Sequence, residues 1–235
     1  MKIAICTPYH GQVHGDYAYC LAKLVMHTVQ TQVMFNGQVV TPEIEIFMKS
    51  SSVLATLRNE LVRDALAWEA NYLLWLDSDH NFPPTALMRL LSLNLPVVGT
   101  NYPRRTYPTY PTATDLDGAL VWTTEDLAAR GEITEVSQLG LGLCLVDMTV
   151  FHTLHAWAVA EGRANFWPLF AFEPIPGQIR MAGEDHYFFK QLRSAGIKIH
   201  LDHHLSWALG HNRDRMITNA DALLERASFE QGRRS

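Results

Sequence analysis

The chain has 235 residues, of which 48% are hydrophobic and 18% charged, enough apolar material for the core of one α/β domain. Its formal net charge of −5 gives no electrostatic reason to expect tight binding to nucleic acid. The three cysteines lie far apart without a C-x-x-C pair, which argues against a disulfide framework or a thiolate zinc site. The first apolar run is too short for a signal peptide, and no run approaches the roughly 20 residues of a membrane helix. We therefore expect a cytoplasmic protein without a transmembrane segment.

The first two-fifths of the chain alternate between strand and helix patterns, which predicts a mostly parallel sheet. A short strand at 3–6 is followed by a helix that Asp16 could cap, and residues 43–47 alternate in the manner of a strand. Three serines at 50–52 supply candidate caps for the next helix. Residues 72–76 form a continuous apolar run, typical of a central strand that is buried on both faces.

The second part of the chain continues the α/β pattern after a long irregular loop at 101–118. The elements predicted around this loop are a helix opened by Pro83 and Pro84, strands at 96–99 and 141–148, helices at 149–160 and 184–195, and a last strand at 197–201. We expect one GT-A-like, Rossmann-like α/β domain over 1–218, with a mixed, mostly parallel central sheet flanked by helices. Residues 219–235 are expected to form a C-terminal helix and tail.

Two carboxylates, Asp77 and Asp79, follow the predicted central strand with Ser78 between them. In open α/β sheets the ligand crevice lies beyond the carboxyl ends of the strands. A Mn²⁺ or Mg²⁺ ion held there would neutralise the diphosphate of a nucleotide-sugar and stabilise the charge on the leaving phosphate. A polar turn after a strand explains the same D-x-D motif, so the motif needs support from its context.

Two further motifs lie in the second half of the chain. Glu184 and Asp185 follow Gly183 at a predicted helix start, where an ionised carboxylate could act as general base toward a sugar hydroxyl. Ordinary capping of the helix is the alternative. His211, after the last predicted strand, could complete the coordination of the metal as a neutral imidazole, or be a surface histidine.

Several other residues allow both a functional and a structural interpretation. Arg58 could reach a bound nucleotide or belong to a solvated helix face, and Gly140 and Gly142 could admit a ligand or form a bulge. Three histidines suggest a zinc site that their strand-turn context does not favour: His200, His203 and His204. Three aromatic side chains could stack on a sugar face or pack in the core: Trp167, Phe170 and Phe172.

The order of these motifs resembles the nucleotide-binding half of GT-A glycosyltransferases, and the family-2-like group of bacteria and phages looks closest. The resemblance covers about residues 1–215, from the segment at 58–62 through the D-x-D motif to His211. The second half, with Gly183-Glu184-Asp185 and later the run at 211–214, is also similar to the β-1,4-galactosyltransferases.

This resemblance implies a role for each matching residue. Asp185 would be the catalytic base, with Glu184 in reserve. The implied metal ligands are Asp77, Asp79 and His211. The residues implied to border the nucleotide are Thr7, Pro8, Tyr9, Arg58, Asp77 and Ser78.

The function implied is that of a metal-dependent hexosyltransferase, which moves a sugar from a nucleotide-sugar, UDP-linked by the resemblance, to an acceptor hydroxyl with inversion. The acceptor stays open between a glycan and another hydroxyl compound, and modified DNA is disfavoured by the acidic net charge. The alternative is a non-catalytic nucleotide-sugar or glycan-binding module on the same fold, which would need the metal ligands but not the base. A nucleotidyltransferase would require a basic, glycine-rich loop after the first strand, and residues 9–15 contain no lysine or arginine.

Overall fold

The structure is a computed structural model, and it describes residues 1–163, 168–212 and 216–233. Its elements in chain order are β1 (Lys2–Tyr9), α1 (Gly15–Val29), β2 (Val33–Phe35), β3 (Gln38–Val40), β4 (Glu43–Ser50), α2 (Leu54–Ala67), β5 (Tyr72–Leu76), β6 (His80–Asn81), α3 (Ala86–Ser92), β7 (Val97–Gly99), α4 (Glu125–Ala129), β8 (Ile133–Val136), β9 (Leu143–Asp147), α5 (Thr149–Ala160), β10 (Glu173–Pro174), β11 (Met181–Ala182), α6 (Glu184–Ser194), β12 (Ile199–Asp202), α7 (His203–Ala208), β13 (Gly210–Asn212), β14 (Met216–Ile217) and α8 (Asn219–Gly232). Among these described helices, none is long and apolar enough to cross a membrane.

Within the described residues, seven strands form the central sheet, in the order β4-β1-β5-β9-β7-β12-β8. The strands β4, β1, β5, β7 and β12 run in one direction, whereas β9 and β8 run against their neighbours. The prediction of a mixed, mostly parallel sheet flanked by helices is confirmed, and the arrangement fits a single Rossmann-like domain. Strand β5 lies inside this sheet, between β1 and β9.

Strand β5 is central because its side chains have a packing partner on each face. Leu73 and Trp75 belong to the core cluster formed with helices α2, α5 and α6, and Leu74 and Leu76 belong to the cluster formed with α1 and α3. All four side chains are fully buried. Each such burial stabilises the fold by roughly 1.5–3 kcal/mol, which is why a run without polar residues specifies this position.

The start of helix α2 differs from the sequence prediction. None of the three serines caps the helix: the residue before it is Val53, without a side-chain cap, and the Ser51 hydroxyl accepts a hydrogen bond from the Val53 N–H instead. The Ser51 oxygen therefore bonds an N–H group that precedes the helix, and it does not satisfy the free N–H groups of the first helical turn. Ser51 and Ser52 line a surface cleft.

The end of helix α6 agrees with the sequence prediction, because Gly196 follows the helix with φ of +75°, the left-handed conformation that the predicted stop requires.

Two short strands follow the one predicted to be last, because β12 leads through α7 into β13 and β14. Strand β13 pairs with β6 in a small antiparallel sheet apart from the central one. Strands of two or three residues contain too few side chains to show a periodic pattern, so the sequence did not predict them.

The loop at 101–118 is held by a buried asparagine. The Asn101 side chain accepts hydrogen bonds from the N–H groups of Thr112 and Ala113, each at 3.1 Å, and donates to the Val121 carbonyl at 2.7 Å. Helix α8 packs on the same loop, where Phe229 stacks on Tyr110 with ring centroids 4.5 Å apart. This support holds the segment that carries Arg104 and Arg105 beside the carboxyl end of β5.

Candidate functional site

The D-x-D motif lies where strand β5 ends. The Asp77 N–H donates to the Gly142 carbonyl at 3.0 Å, and the chain then turns so that His80 enters β6. In the small sheet, His80 is the register partner of His211 in β13. This pairing brings Asp79 and His211 together, although they are 132 residues apart in the sequence.

Asp79 is surrounded by three cationic or potentially cationic groups. Its Oδ2 lies 2.9 Å from Arg105 Nη1 and 3.4 Å from His211 Nε2, and its Oδ1 lies 3.1 Å from His80 Nδ1. Burial by itself raises the pKa of Asp79, but the neighbouring imidazoles of His211 and His80 outweigh it and hold the pKa well below the usual range. Asp79 is therefore an ionised carboxylate in a partly dehydrated site.

The orientation of His211 is set by its second nitrogen. Nδ1 lies 2.9 Å from the Pro103 carbonyl oxygen, which can only accept, so Nδ1 carries the proton. Nε2 can then donate to the ionised Asp79 carboxylate only when the ring is protonated, and in the neutral ring its lone pair is available to a metal ion beside Asp79. A backbone carbonyl that orients a ligating imidazole in this way is the usual outer support of a histidine metal ligand.

His80 is a member of the site that the sequence analysis passed over. Its ring is 1% exposed, stacks on His211 with centroids 4.4 Å apart and meets the edge of Tyr102 at 4.4 Å. Although Nδ1 is near Asp79, neither ring nitrogen has a hydrogen-bond partner among the described residues. Burial lowers the pKa of His80 despite Asp79, which favours the neutral form. Its position next to an aspartate in the D-x-D motif was the available signal.

The glycines at 140 and 142 make room for these rings. A Cβ on Gly142 would lie 2.5 Å from His80 Cε1 and 2.8 Å from Tyr102 Cε1, and one on Gly140 would collide with the Tyr102 hydroxyl. The Gly142 N–H also donates to that hydroxyl at 3.1 Å. Glycine is needed at these two positions because the rings of His80 and Tyr102 approach the backbone closely.

The donor atoms of Asp79, His80 and His211 lie within 4.8 Å of one another, and among the described residues these three form the group that could hold a metal ion. One carboxylate and two neutral imidazoles suit Mn²⁺ and other divalent transition metals better than Mg²⁺, which prefers oxygen ligands. The donor set therefore fits a metal, and the two unpartnered nitrogens of His80 are consistent with a ligand role. Asp77 is not a member of this group.

Asp77 belongs to a separate, buried ion network. Its Oδ1 accepts a hydrogen bond from Arg58 Nη2 at 2.9 Å, while Arg58 Nε donates to Glu184 Oε1 at 3.1 Å. The Arg58 side chain is 2% exposed and lies over the Trp75 ring, 5.0 Å from its centroid. Burial raises the pKa of Glu184 and the Arg58 charge opposes that rise. Glu184 is thus committed to holding Arg58, and Arg58 in turn orients Asp77.

Two clefts share Arg105, the arginine that pairs with Asp79. The first, of about 430 Å³, is lined by Tyr9, Ser78 and Asp79 among others, together with Pro8 and Asp77. Thr7, expected to border the same ligand, is fully buried and its hydroxyl pairs with that of Tyr17 in the core.

The second cleft has a volume of about 670 Å³ and contains Asp185. Asp185 is half-buried in the first turn of α6, where its Oδ1 accepts a hydrogen bond from the His186 N–H at 2.7 Å. His211 lines this cleft too, and Arg105 lines both clefts. The structure therefore places Asp185 in the same cleft as His211, a member of the candidate metal group.

The remaining candidates have structural surroundings. Phe170 is buried against Trp75 and Phe188, Phe172 is 48% exposed, and Trp167 lies outside the described residues, as do the residues at 213–215. The three further histidines contact different partners: His200 the Val97 carbonyl, His203 the hydroxyls of Thr123 and Thr134, and His204 the Ala128 carbonyl. In the described part of the chain they do not form a metal group.

Comparison with known proteins gives a fold and no family. The chain matches no protein-family model and no curated protein sequence. Among solved structures, it is similar to that of A197 from STIV, with a TM-score of 0.55 and 15% sequence identity over 94% of this chain and 92% of that chain. At this identity the likeness supports the α/β fold over nearly the whole of both chains, and the site must be judged from its own residues.

Proposed function

We propose that the protein is a metal-dependent glycosyltransferase, which moves a sugar from a nucleotide-sugar to an acceptor hydroxyl with inversion at the anomeric carbon. The observation that carries this proposal is the group of Asp79, His80 and His211, in which Asp79 lines the first cleft and His211 the second, together with the Asp185 carboxylate in the second cleft. A transferase needs such an arrangement, because its two substrates must meet at one point while only one of them contacts the metal.

In this proposal the first cleft binds the donor. Its lining combines aromatic, imidazole, amide and hydroxyl groups that can bind a base and a ribose, among them Tyr9, His10, Gln12 and Ser51. Asp79, His80 and His211 would hold the metal, which supplies a Lewis acid for the charge on the leaving diphosphate. Asp77 would be aimed at the same cleft by Arg58.

Asp185 acts as the base in the second cleft. The acceptor oxygen attacks the anomeric carbon, the bond from that carbon to the phosphate oxygen breaks with its electron pair, and the nucleoside diphosphate leaves. Asp185 takes the proton of the acceptor hydroxyl. Glu184 is less suited to this role, because its carboxylate is buried and already paired with Arg58. Glu184 is better described as the residue that positions Arg58.

The test is a transfer and hydrolysis screen of UDP-, GDP- and dTDP-sugars with Mn²⁺ and with Mg²⁺. With an active donor, Asp185→Asn should lower turnover by roughly 10²–10⁴-fold, because the amide cannot accept the proton, and should leave donor affinity nearly unchanged. Asp126→Asn is the matched control, since Asp126 is 74% exposed on α4, where it pairs with Arg130.

Two outcomes would count against this function. If Asp185→Asn retains full transfer activity, Asp185 is not the base. If the parent protein binds a nucleotide-sugar with the metal but neither transfers nor hydrolyses it, the non-catalytic binding module replaces the enzyme. A binding module has no transfer activity that the Asp185 substitution could reduce. Donor binding and transfer, measured together, therefore separate the enzyme from the binding module.

A further inference from the structure

The second cleft is positively charged in a protein whose net charge is −5. Arg104, Arg105 and Arg180 line it, and Asp185 is the one carboxylate among its described lining residues. Arg104 and Arg105 come from the loop at 101–118, and Arg180 comes from the turn between β10 and β11. Two separate segments therefore bring guanidinium groups to the same opening.

Two of these arginines have no carboxylate partner among the described residues. Arg104 lies over the Tyr110 ring, 5.4 Å from its centroid, and neither Arg104 nor Arg180 forms an ion pair in the described part of the chain. Elsewhere among the described residues most arginines are neutralised, since five pair with carboxylates: Arg58, Arg63, Arg89, Arg130 and Arg226. Unpaired guanidiniums gathered at one cleft leave a positive potential that an anionic ligand would reduce.

The chemistry of the guanidinium limits the ligand class. Its planar fork of N–H donors matches the oxygens of a phosphate or a carboxylate, and such charge-assisted pairs are among the stronger hydrogen bonds. A volume of about 670 Å³ suits a small molecule of the size of one or two sugar rings. A polymeric nucleic acid would have to approach a protein surface that is acidic overall, which disfavours it as the ligand.

We propose that the second cleft binds a small phosphorylated sugar or polyol, whose phosphate is recognised by Arg104 and Arg180 while its hydroxyl faces Asp185. The role of this compound as the acceptor of a sugar transfer rests on the function proposed above, whereas its binding to the cleft does not. The phosphate would lie on the arginine side of the cleft, and the hydroxyl to be modified on the side of helix α6. Arg105, which pairs with Asp79 between the two clefts, is left out of the recognition set.

The experiment measures binding without donor or metal. Glucose 6-phosphate, glucose and a short DNA oligonucleotide are titrated into the full chain, and backbone amide shifts are followed by NMR. We expect shifts at Gln138, Thr112 and Ala182 of the second cleft with the phosphorylated sugar, and smaller shifts at Tyr9 and Ser51 of the first cleft. Glucose should bind at least about tenfold more weakly, because it offers no partner to the unpaired arginines.

Variants locate the phosphate. Arg104→Gln and Arg180→Gln should each weaken glucose 6-phosphate binding by about three- to tenfold, while Arg193→Gln, an exposed change at the far end of α6, should not. Equal binding of glucose and its phosphate, unchanged affinity in both cleft variants, no binding, or shifts confined to the first cleft would each overturn the proposal. Tighter binding of the oligonucleotide would do so as well, in favour of a nucleic-acid ligand. Because none of these measurements involves transfer, their result is independent of whether the protein is a glycosyltransferase.

Discussion

Arg105 forms an ion pair with Asp79, the carboxylate that we assign to the metal, with its Nη1 2.9 Å from Asp79 Oδ2. The Arg105 side chain is half exposed and Asp79 is mostly buried, so the guanidinium closes over the carboxylate from the solvent side. The same arginine lines both clefts. A cation that binds Asp79 must therefore compete with Arg105 for one of the two carboxylate oxygens, and the displaced guanidinium remains close to both clefts.

We predict that Arg105→Gln strengthens the binding of Mn²⁺ to the free protein by about two- to fivefold, since a partly exposed ion pair contributes at most about 1 kcal/mol. Calorimetric titration with Mn²⁺ in the absence of nucleotide measures the effect. Arg104→Gln is the control, because the neighbouring arginine makes no contact with Asp79. Equal or weaker Mn²⁺ binding by Arg105→Gln would show that the ion pair does not compete with the metal.

Removal of His211 should weaken the metal site directly. Because His211 Nε2 faces Asp79 and its Nδ1 is held by the Pro103 carbonyl, His211→Ala should lower Mn²⁺ affinity by at least about tenfold. Titration of Mn²⁺ followed by electron paramagnetic resonance counts the free ion. His186→Ala, in the second cleft, should leave the affinity unchanged. A His211→Ala protein that binds Mn²⁺ as well as the parent would make His211 a structural residue.

The ion network below the site should be critical for stability. Arg58→Met leaves the buried Glu184 carboxylate without its partner, which costs about 3–5 kcal/mol in comparable sites. The double variant Arg58→Met/Glu184→Gln should recover part of this loss, because an amide does not have to be charged. Chemical denaturation measures both free energies of unfolding. The control is Arg63→Met, on the exposed face of the same helix, which is expected to change stability by less than about 0.5 kcal/mol. An equally small effect of Arg58→Met would show that the ion network does not stabilise the fold.

Gly142 should not tolerate a side chain. In Gly142→Ala the new Cβ would overlap the rings of His80 and Tyr102, both buried, so neither ring has free space into which to move. We expect a loss of about 1–3 kcal/mol in unfolding free energy together with weaker Mn²⁺ binding. Gly15→Ala provides the comparison, because its added Cβ meets no atom within 4 Å. Wild-type stability and metal affinity in Gly142→Ala would contradict the packing described for the two rings.

The stability of the fold should fall on mild acidification, in part through His203. Burial lowers the pKa of His203 below its ordinary value of 6.5, although Asp202 and Glu132 act in the opposite direction. A lowered pKa in the folded state means that the unfolded chain binds the proton first as the pH drops below about 6.5. The contribution of His203 is therefore present above that pH and is lost as the pH falls, by up to about 1.4 kcal/mol per pH unit.

Denaturation at several pH values between 7.5 and 5.5 checks this expectation. His203→Gln should show a shallower loss of stability with falling pH than the parent, whatever its stability at pH 7.5. His152→Gln, an exposed change on α5, should keep the slope of the parent. A His203→Gln protein with an unchanged slope would mean that His203 takes up its proton equally in the folded and unfolded states.

Much of the fold could be predicted from the sequence, because β5 and α5 are specified by residues close to one another in the chain. The apolar run at 72–76 has no charged side chain to direct toward water and has the length of a buried strand, and helix α5 has the predicted bounds of 149–160. The position of Asp77 and Asp79 at the end of that strand follows from the same local pattern. The failed prediction of a serine cap was also local, and it failed because Ser51 bonds to Val53 outside the helix.

The composition of the candidate metal group was decided by the tertiary structure. The sequence predicted Asp77, Asp79 and His211, whereas the folded chain gathers Asp79, His211 and the neighbouring His80 and directs Asp77 to Arg58. No local pattern could anticipate this arrangement, because His80 and His211 meet through short strands that are far apart in the sequence. Local residue patterns determine which segments are strands and helices, but only the packing of those segments determines which polar side chains share a buried space and which ion neutralises each carboxylate.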